Sequence, residues 1–160
     1  MDNEEYIPVM QQSLKNKVSV LNDILSLCTE QEEMFKKDRS SVDEEMLESV
    51  RKKGNLIDEL KRLDEGFDSL YNKVAGLLEA DRKSHVQEIL DMQALIREIT
   101  DLSVRIQAQE KRNKDLADRF FDQSKERIGS KRSAIKAANI YRKNMKKIQY
   151  VDPQFMDRKK

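Results

Sequence analysis

Apolar residues recur at seven-residue intervals along four segments of the chain. In the first segment, about residues 8–37, the stripe consists of Ile7, Met10, Leu14, Leu21, Ile24, Cys28 and Phe35. This a/d spacing predicts a helix that packs on other helices. Lys17 and Gln31 interrupt the stripe. Val18 and Leu25 widen it on one flank, which favours a bundle of more than two helices.

Local signals predict where this helix starts and where the next one begins. Pro8 belongs in a first turn or at a kink, so we expect the residues before it to be frayed. Asp38-Arg39-Ser40 reads as a turn, and Ser41-Val42-Asp43-Glu44 has the form of a capping box.

The second segment, about residues 42–80, has two apolar series: Leu56, Leu63, Leu70 and Leu77 in one, and Leu60, Phe67 and Val74 in the other, with Ile57, Tyr71 and Leu78 on a flank. Gly54, Gly66 and Gly76 lie inside it, and each costs about 1 kcal/mol relative to Ala in a helix. Tolerated surface glycines are the favoured interpretation. The alternative is a flexible helix, or close approach of a neighbour at Gly66.

The third segment, about residues 85–128, follows a second capping-box pattern at Ser84-His85-Val86-Gln87. Its stripe consists of Met92, Leu95, Ile99, Leu102, Ile106, Gln109, Asn113, Leu116 and Phe120. Gln109 and Asn113 are polar residues at stripe positions. They either fix the register of a packed helix, or mark the point where the core ends and the stripe faces water.

The last segment, residues 129–160, combines a light apolar stripe with a strong positive charge. The stripe consists of Ala134, Ala138, Tyr141, Met145 and Ile148. Residues 125–160 contain twelve Lys/Arg and three Asp/Glu, a net charge of +9. The whole chain carries +1, so the first 124 residues carry −8. The apolar surface of this segment is too small to predict that the segment packs in the core.

These patterns predict an all-α protein: an elongated antiparallel helical hairpin or three-helix bundle with a C-terminal amphipathic helix. Residues 1–128 form the body, with helices at about 8–37, 42–80 and 85–128, and residues 129–160 form the basic segment. Only four Gly and two Pro occur in 160 residues, so turns are few. The charged fraction, 38%, equals the apolar fraction and suits a rod with a large surface.

The sequence offers no chemistry for catalysis, a metal or a cofactor. His85 is the only histidine, and Cys28, the only cysteine, lies on an apolar stripe. Paired acids such as Glu32-Glu33 lie on solvated faces. No phosphate-binding glycine loop or nucleophile elbow occurs. The acidic N-terminus and the lack of a long apolar run predict a cytoplasmic protein without membrane insertion.

Four interpretations of the basic segment compete. The segment could be a solvated charged face, a nucleic-acid-binding site, a site for an anionic membrane, or a helix that folds when it binds a partner helix. The spacing of Tyr141, Met145 and Ile148 favours the partner helix. The lack of interleaved aromatic residues argues against nucleic acid, and the stripe is thin for a membrane helix.

Three short motifs lie in the last third of the chain: Arg112-Asn113-x-x-Leu116, Ile135 to Tyr141 with its Asn139-Ile140-Tyr141 ending, and Phe155-Met156-Asp157-Arg158-Lys159-Lys160. With the layout of long helices and a basic C-terminal segment, they resemble the FlgN family of flagellar export chaperones. The resemblance implies a chaperone that shields the terminal helices of the hook-associated proteins, which form the hook–filament junction, and brings these proteins to the flagellar export gate. It places client binding on Ile135, Ala138, Tyr141, Met145 and Ile148.

Two alternatives stay open for the function. One is a chaperone for the filament cap or the filament subunit, and the other is a self-assembling coiled-coil scaffold. A homodimer is compatible with the same stripes.

Overall fold

In the computed structural model, the described residues, 3–37, 44–126 and 131–147, form five α-helices. They are α1 (Asn3–Lys36), α2 (Glu44–Asp64), α3 (Phe67–Ala80), α4 (Val86–Lys125) and α5 (Lys131–Lys147). A short 3-10 helix, Arg82–His85, joins α3 to α4. At about 1.5 Å per residue, α4 is a rod of roughly 60 Å. The expected all-α fold is confirmed.

Helices α1 and α4 run in one direction, α2, α3 and α5 run in the opposite direction, and the bundle has two unequal halves. α1 packs on α2, α3 and α4, and α5 packs between α2 and α4. The half that contains α5, which we call the upper half, therefore has four helices in up-down-up-down order. The half that contains α3 and the α3–α4 connection, the lower half, has three.

Each half has its own apolar core. The lower and middle core includes Met10, Leu14, Leu21, Ile57 and Ile99. The upper core consists of Met34, Phe35, Met46, Val50, Ala117, Phe120, Phe121, Ala134, Ala137, Ala138 and Tyr141. The a/d stripe predicted for α1 is buried along its length, including its polar members Lys17 and Gln31. The seven-residue periodicity therefore identified the face that the core uses.

The start of α1 differs from the expectation. The helix begins at Asn3 and contains Pro8, so the residues before the proline are helical rather than frayed. Ile7 is buried in the core and Tyr6 packs against it. The Lys73 ammonium also lies 5.0 Å from the Tyr6 ring centre. These contacts hold the first turns in place although Pro8 lacks an amide donor.

The segment expected to be one helix over 42–80 is interrupted at Gly66, which has φ +74°. A side chain is strained in this left-handed conformation, so only glycine adopts it readily. Gly66 is exposed, and an added Cβ would have no neighbour within 4 Å, as the favoured surface interpretation predicts, but the prediction of one continuous helix across it was wrong. The close approach occurs instead at Gly54, where an added Cβ would lie 2.8 Å from Asn144 Oδ1. Gly76 faces open space, as the favoured interpretation predicts.

The second capping box also fails. Ser84 lies in the 3-10 helix, and the residue that precedes α4 is His85, whose side chain makes no capping hydrogen bond. The first capping box and the turn before it lie outside the described residues, apart from Glu44.

Candidate protein-binding site around helix α5

Helix α5 lies in a slot between α2 and α4 and closes the upper core. Three alanines of α5 are fully buried in that core: Ala134, Ala137 and Ala138. Small side chains let the α5 backbone approach α2 and α4 closely, so few apolar atoms suffice to fill the slot. The expectation that this segment has too little apolar surface overlooked that close approach.

Aromatic rings surround Tyr141, the one large apolar residue of α5 that is fully buried. Its ring centre lies 5.5 Å from that of Phe35 and 5.9 Å from that of Phe121, with Phe35 in an edge-on arrangement. Phe120 completes the cluster, 5.4 Å from Phe35. Aromatic pairs at such distances add about 0.5–1.5 kcal/mol beyond their burial. Tyr141 is therefore the principal apolar anchor of α5.

A buried ion pair lies beneath Tyr141. The Lys53 ammonium is 2.6 Å from Glu110 Oε1, and both side chains are at least 97% buried. Lys53 also donates to Gln31 Oε1 at 2.6 Å and lies 4.5 Å from the Tyr141 ring centre. Glu110 accepts further bonds from Cys28 Sγ at 2.8 Å and from Tyr141 Oη at 3.2 Å. Four helices therefore meet at one polar cluster.

Burial affects the acidity of two members of this cluster. It raises the pKa of Tyr141 well above its usual value, and the neighbouring Glu110 carboxylate adds to the increase. Burial likewise raises the pKa of the Cys28 thiol, although the Lys53 charge acts in the opposite direction. Both groups are thus neutral donors at physiological pH. A thiol held in this form is a poor nucleophile, which agrees with a packing role for Cys28.

The polar cluster extends to both residues that interrupt the α4 stripe. Asn113 Nδ2 donates to the carbonyl of Cys28 at 2.8 Å, and Gln109 Nε2 donates to Asn113 Oδ1 at 3.0 Å. Both side chains are buried. The core therefore does not end here, and these residues fix α4 against α1 through directional bonds.

Three polar contacts outside this cluster position α5 along the slot. Asn144 Nδ2 donates to the Val50 carbonyl at 2.9 Å, next to Gly54. Lys147 pairs with Asp58 at 2.7 Å. Arg142 Nη2 and Asp118 Oδ1 lie 3.6 Å apart. The Asn144 bond is buried and directional, so it specifies the depth and register of α5.

The five residues predicted to bind a partner occupy different environments. Ala138 and Tyr141 are buried inside the slot, and Met145 is half-buried against the same core. Ile135 is 39% exposed on the outer side of α5. Ile148 lies outside the described residues. With α5 docked, Ile135 is the most accessible of the four described members.

The outer side of α5 is basic. Exposed residues there are Lys131, Arg132, Lys136, Arg142, Lys143 and Lys146. Helix α5 contains no Asp or Glu. The strongest positive surface of the described chain therefore faces solvent while the apolar stripe faces inward.

Lys53, Glu110 and Phe121 were not predicted as parts of this site. Lys53 lies seven residues before Leu60, and Glu110 lies seven residues before Ala117, so both are at seven-residue intervals from apolar residues. They were not recognised because charged residues are rarely buried. The sequence did contain a signal for buried polar partners. Gln31, Gln109 and Asn113 are polar residues on apolar stripes, and buried polar residues need hydrogen-bond partners that are buried with them.

The described residues offer little support for other kinds of site. No group of three or more His, Cys, Asp or Glu in them could hold a metal ion. His85 is half-buried at the α3–α4 connection, with Nδ1 3.8 Å from Glu88. In the ranges that the structure describes, no helix is long and apolar enough to cross a membrane.

Comparison with known proteins identifies the family. A sequence model of the FlgN protein family matches residues 1–147, which covers all five helices. No significant match was found among curated proteins or solved structures. The resemblance inferred from the motifs is thus confirmed, and the chain belongs to the FlgN family of flagellar export chaperones.

Proposed function

We propose that this chaperone binds the terminal helices of hook-associated proteins before export, and that α5 and its slot form the client site. The observation that supports this most directly is the burial of Ala138 and Tyr141 in a slot lined by Phe35, Val50 and Phe121. A slot that accepts one amphipathic helix has the shape and chemistry to accept another.

Client binding through the predicted residues requires α5 to leave the slot. Tyr141 and Ala138 are nearly inaccessible while α5 is docked. Undocking exposes the apolar stripe of α5 together with the aromatic slot, and a client helix then contacts one or both surfaces. Because the sequence contains no phosphate-binding glycine loop, we assign no nucleotide to this step. The difference in free energy between client binding and α5 docking drives the replacement of one by the other.

The export gate is the second proposed partner. The basic outer side of α5 stays accessible whether or not the slot is closed, so it is available to a gate protein. The protein acts in the cytoplasm in this scheme, without catalysis, a cofactor or nucleic acid.

The client site is tested by calorimetry with hook-associated proteins from the same cell. Tyr141→Ala with Met145→Ala should change the client affinity at least tenfold. Binding weakens if the client contacts the α5 stripe, which loses apolar contacts, and tightens if the client occupies the slot, which the variant opens. Arg132→Ala with Asn139→Ala changes two exposed residues of the same helix and serves as the matched control. Circular dichroism should show that the body stays helical. Unchanged affinity in the first double variant would show that the proposed site is wrong.

Two further outcomes would change the proposed client or the class of protein. Binding of the filament cap or filament subunit, with no binding of hook-associated proteins, would replace the client. Growth of the scattering mass with concentration, without a client, would favour a self-assembling scaffold. A constant small mass, monomer or homodimer, is expected for a chaperone.

A further inference from the structure

The docked helix α5 shows which side chains the slot accepts at each buried position. The buried residues of α5 are Ala134, Ala137, Ala138, Tyr141 and Asn144. They recur at three- and four-residue intervals and therefore lie on one face of the helix. Along this face, three small side chains are followed by an aromatic hydroxyl and then by a short amide.

The first part of the slot requires small side chains. Ala134, Ala137 and Ala138 are fully buried in the upper core, together with Ala117 of α4. A core packed at native density takes extra carbon atoms only if its neighbours move, and this movement is unfavourable. A helix with Leu or Ile at these three positions therefore cannot lie as deep in the slot as α5 does.

The next position favours a tyrosine, because two buried charged groups meet there. The Lys53 ammonium lies 4.5 Å from the Tyr141 ring centre, and Tyr141 Oη donates to Glu110 Oε2 at 3.2 Å. The other carboxylate oxygen, Oε1, already accepts from Lys53 and from Cys28. The slot occupant thus provides the donor for Oε2, and an occupant without one leaves a buried carboxylate oxygen without its hydrogen bond.

Other large side chains satisfy these two groups less well than tyrosine. Phenylalanine would keep an aromatic ring beside the Lys53 ammonium, but it has no donor for Glu110. Leucine would provide neither the ring nor the donor. The polar cluster beneath α5 therefore distinguishes between helices that have similar apolar surface.

One turn further along α5, the slot has a notch for a short amide. Gly54 of α2 has no side chain, and a Cβ added there would lie 2.8 Å from Asn144 Oδ1. Asn144 Nδ2 donates to the Val50 carbonyl at 2.9 Å, and this bond is buried. An apolar side chain at the same position would lose that bond.

The charged residues of α5 contribute less to this selectivity. Lys147 pairs with Asp58, and Arg142 lies 3.6 Å from Asp118, but the four side chains are 33–49% exposed. Water screens ion pairs at such positions, so they stabilise a complex only weakly. Positive charge is therefore not part of the pattern that the slot selects.

We infer that the client helix that replaces α5 carries the same buried pattern as α5. It has small residues at the positions equivalent to Ala134, Ala137 and Ala138, a tyrosine three residues later, and an asparagine three residues after the tyrosine. This inference rests on the proposed function, commits the client to the slot, and adds the chemistry by which the slot selects a helix. Helix α5 is then an internal copy of the segment that the client presents.

The test uses a fluorescein-labelled synthetic peptide with the sequence of residues 131–147, and the full chain with Ala138→Glu. A Glu side chain is too unfavourable to bury in the slot, so the α5 of this variant undocks and leaves the slot open. Anisotropy should show saturable binding of the peptide, about tenfold or more tighter than to the wild type, whose tethered α5 competes. Tyr141→Ala in the full chain removes the anchor of α5 and provides a second open chain if circular dichroism shows that Ala138→Glu does not fold.

Substitutions in the peptide test the pattern position by position. Tyr141→Phe, Ala138→Leu and Asn144→Leu in the peptide should each weaken binding to the open chain by about tenfold or more. The matched controls, Asn139→Leu and Lys143→Leu, change exposed neighbours and should leave the affinity within about twofold. General hydrophobic attraction would instead make all five substituted peptides bind more tightly, because each substitution makes the peptide more apolar.

Two results of the peptide series overturn the inference. One is binding of the peptides with Tyr141→Phe or Ala138→Leu as tight as that of the parent peptide. The other is equal binding of the parent peptide by the wild type and the open chains, since the peptide would then bind outside the slot.

A competition experiment separates failure of this inference from failure of the proposed function. The parent peptide should displace a bound hook-associated protein from the open chain, whereas the peptide with Ala138→Leu should not. A hook-associated protein that binds and is not displaced overturns the inference and leaves the proposed function in place. If no hook-associated protein binds but the peptide series behaves as expected, the proposed client is wrong and the selectivity of the slot is supported.

A second copy of the chain is the competing occupant of the slot. A wild-type dimer that Ala138→Glu converts to a monomer in light scattering would show that the slot receives the α5 of another copy. That result would overturn the inference that a client helix replaces α5.

Discussion

Removing the charge of Glu110 tests the reasoning about the buried cluster most sharply. Glu110→Gln keeps the shape of the side chain but only one accepting oxygen, so either Cys28, which donates to Oε1, or Tyr141, which donates to Oε2, loses its acceptor. It leaves the Lys53 ammonium, which is fully buried, without its counter-charge. Breaking a buried ion pair by removing one partner costs about 3–5 kcal/mol. That is a large part of the roughly 5–15 kcal/mol that stabilises a typical domain.

The magnitude is tested by a double-mutant cycle with Lys53→Met. Methionine fills the volume of the lysine stem without a charge, so the double variant has no uncompensated ion. We expect the double variant to recover most of the loss, with a coupling of at least about 2 kcal/mol. The measurement is urea unfolding followed by circular dichroism at 222 nm, at pH 7 and about 0.15 M salt.

An exposed pair provides the control for this cycle. Arg105 and Asp101 lie 3.8 Å apart, and both side chains are at least 60% exposed. Asp101→Asn should change the free energy of unfolding by less than about 0.5 kcal/mol, because water screens such pairs. The reasoning is refuted if Glu110→Gln costs no more than this control, or if the two core substitutions are simply additive.

Three further predictions concern α5 and the glycines. Gly76→Ala should stabilise the protein by about 0.5–1 kcal/mol in urea unfolding, since its site is open and helical. Gly54→Ala should instead destabilise the protein, because the new Cβ displaces Asn144. A higher free energy of unfolding for Gly54→Ala would contradict the close approach of Asn144. The raised pKa of Tyr141 means that docked α5 holds the phenol proton more tightly than undocked α5. The docking of α5 should therefore be fully stable below about pH 10, the ordinary tyrosine pKa, and should weaken as the pH rises above it. Absorbance at 295 nm, compared between wild type and Tyr141→Phe, should show that Tyr141 ionises at a higher pH than the other tyrosines. Ionisation of Tyr141 together with the other tyrosines would refute this. Phe121→Ala should cost about 3–5 kcal/mol and release α5 to hydrogen exchange, whereas unchanged exchange over residues 131–147 would show that the aromatic cluster does not hold the helix.

The amino-acid sequence by itself determined the helices and the faces they bury. Seven-residue periodicity requires no knowledge of the neighbours, because it follows from 3.6 residues per turn and from the need to remove apolar side chains from water. That is why the stripes of α1 and α4 face the core. The burial of Gln31 and Asn113 on those stripes was not determined by the spacing. The resemblance to the FlgN family was also accessible, because two of its three motifs lie in α4 and α5, within the matched residues 1–147.

Only the tertiary structure decided how α5 is placed and what lies beneath it. The partners of the central ion pair, Lys53 and Glu110, are 57 positions apart, and no periodicity links such residues. The break at Gly66 depends on the path that α3 takes over α1, since a glycine is equally compatible with a continuous helix. Alanines can lie on a surface or in a tight interface, so Ala134 and Ala138 gave no sign of the slot that they fill. Long-range placement depends on how volumes and charges meet between helices, and local spacing does not encode this.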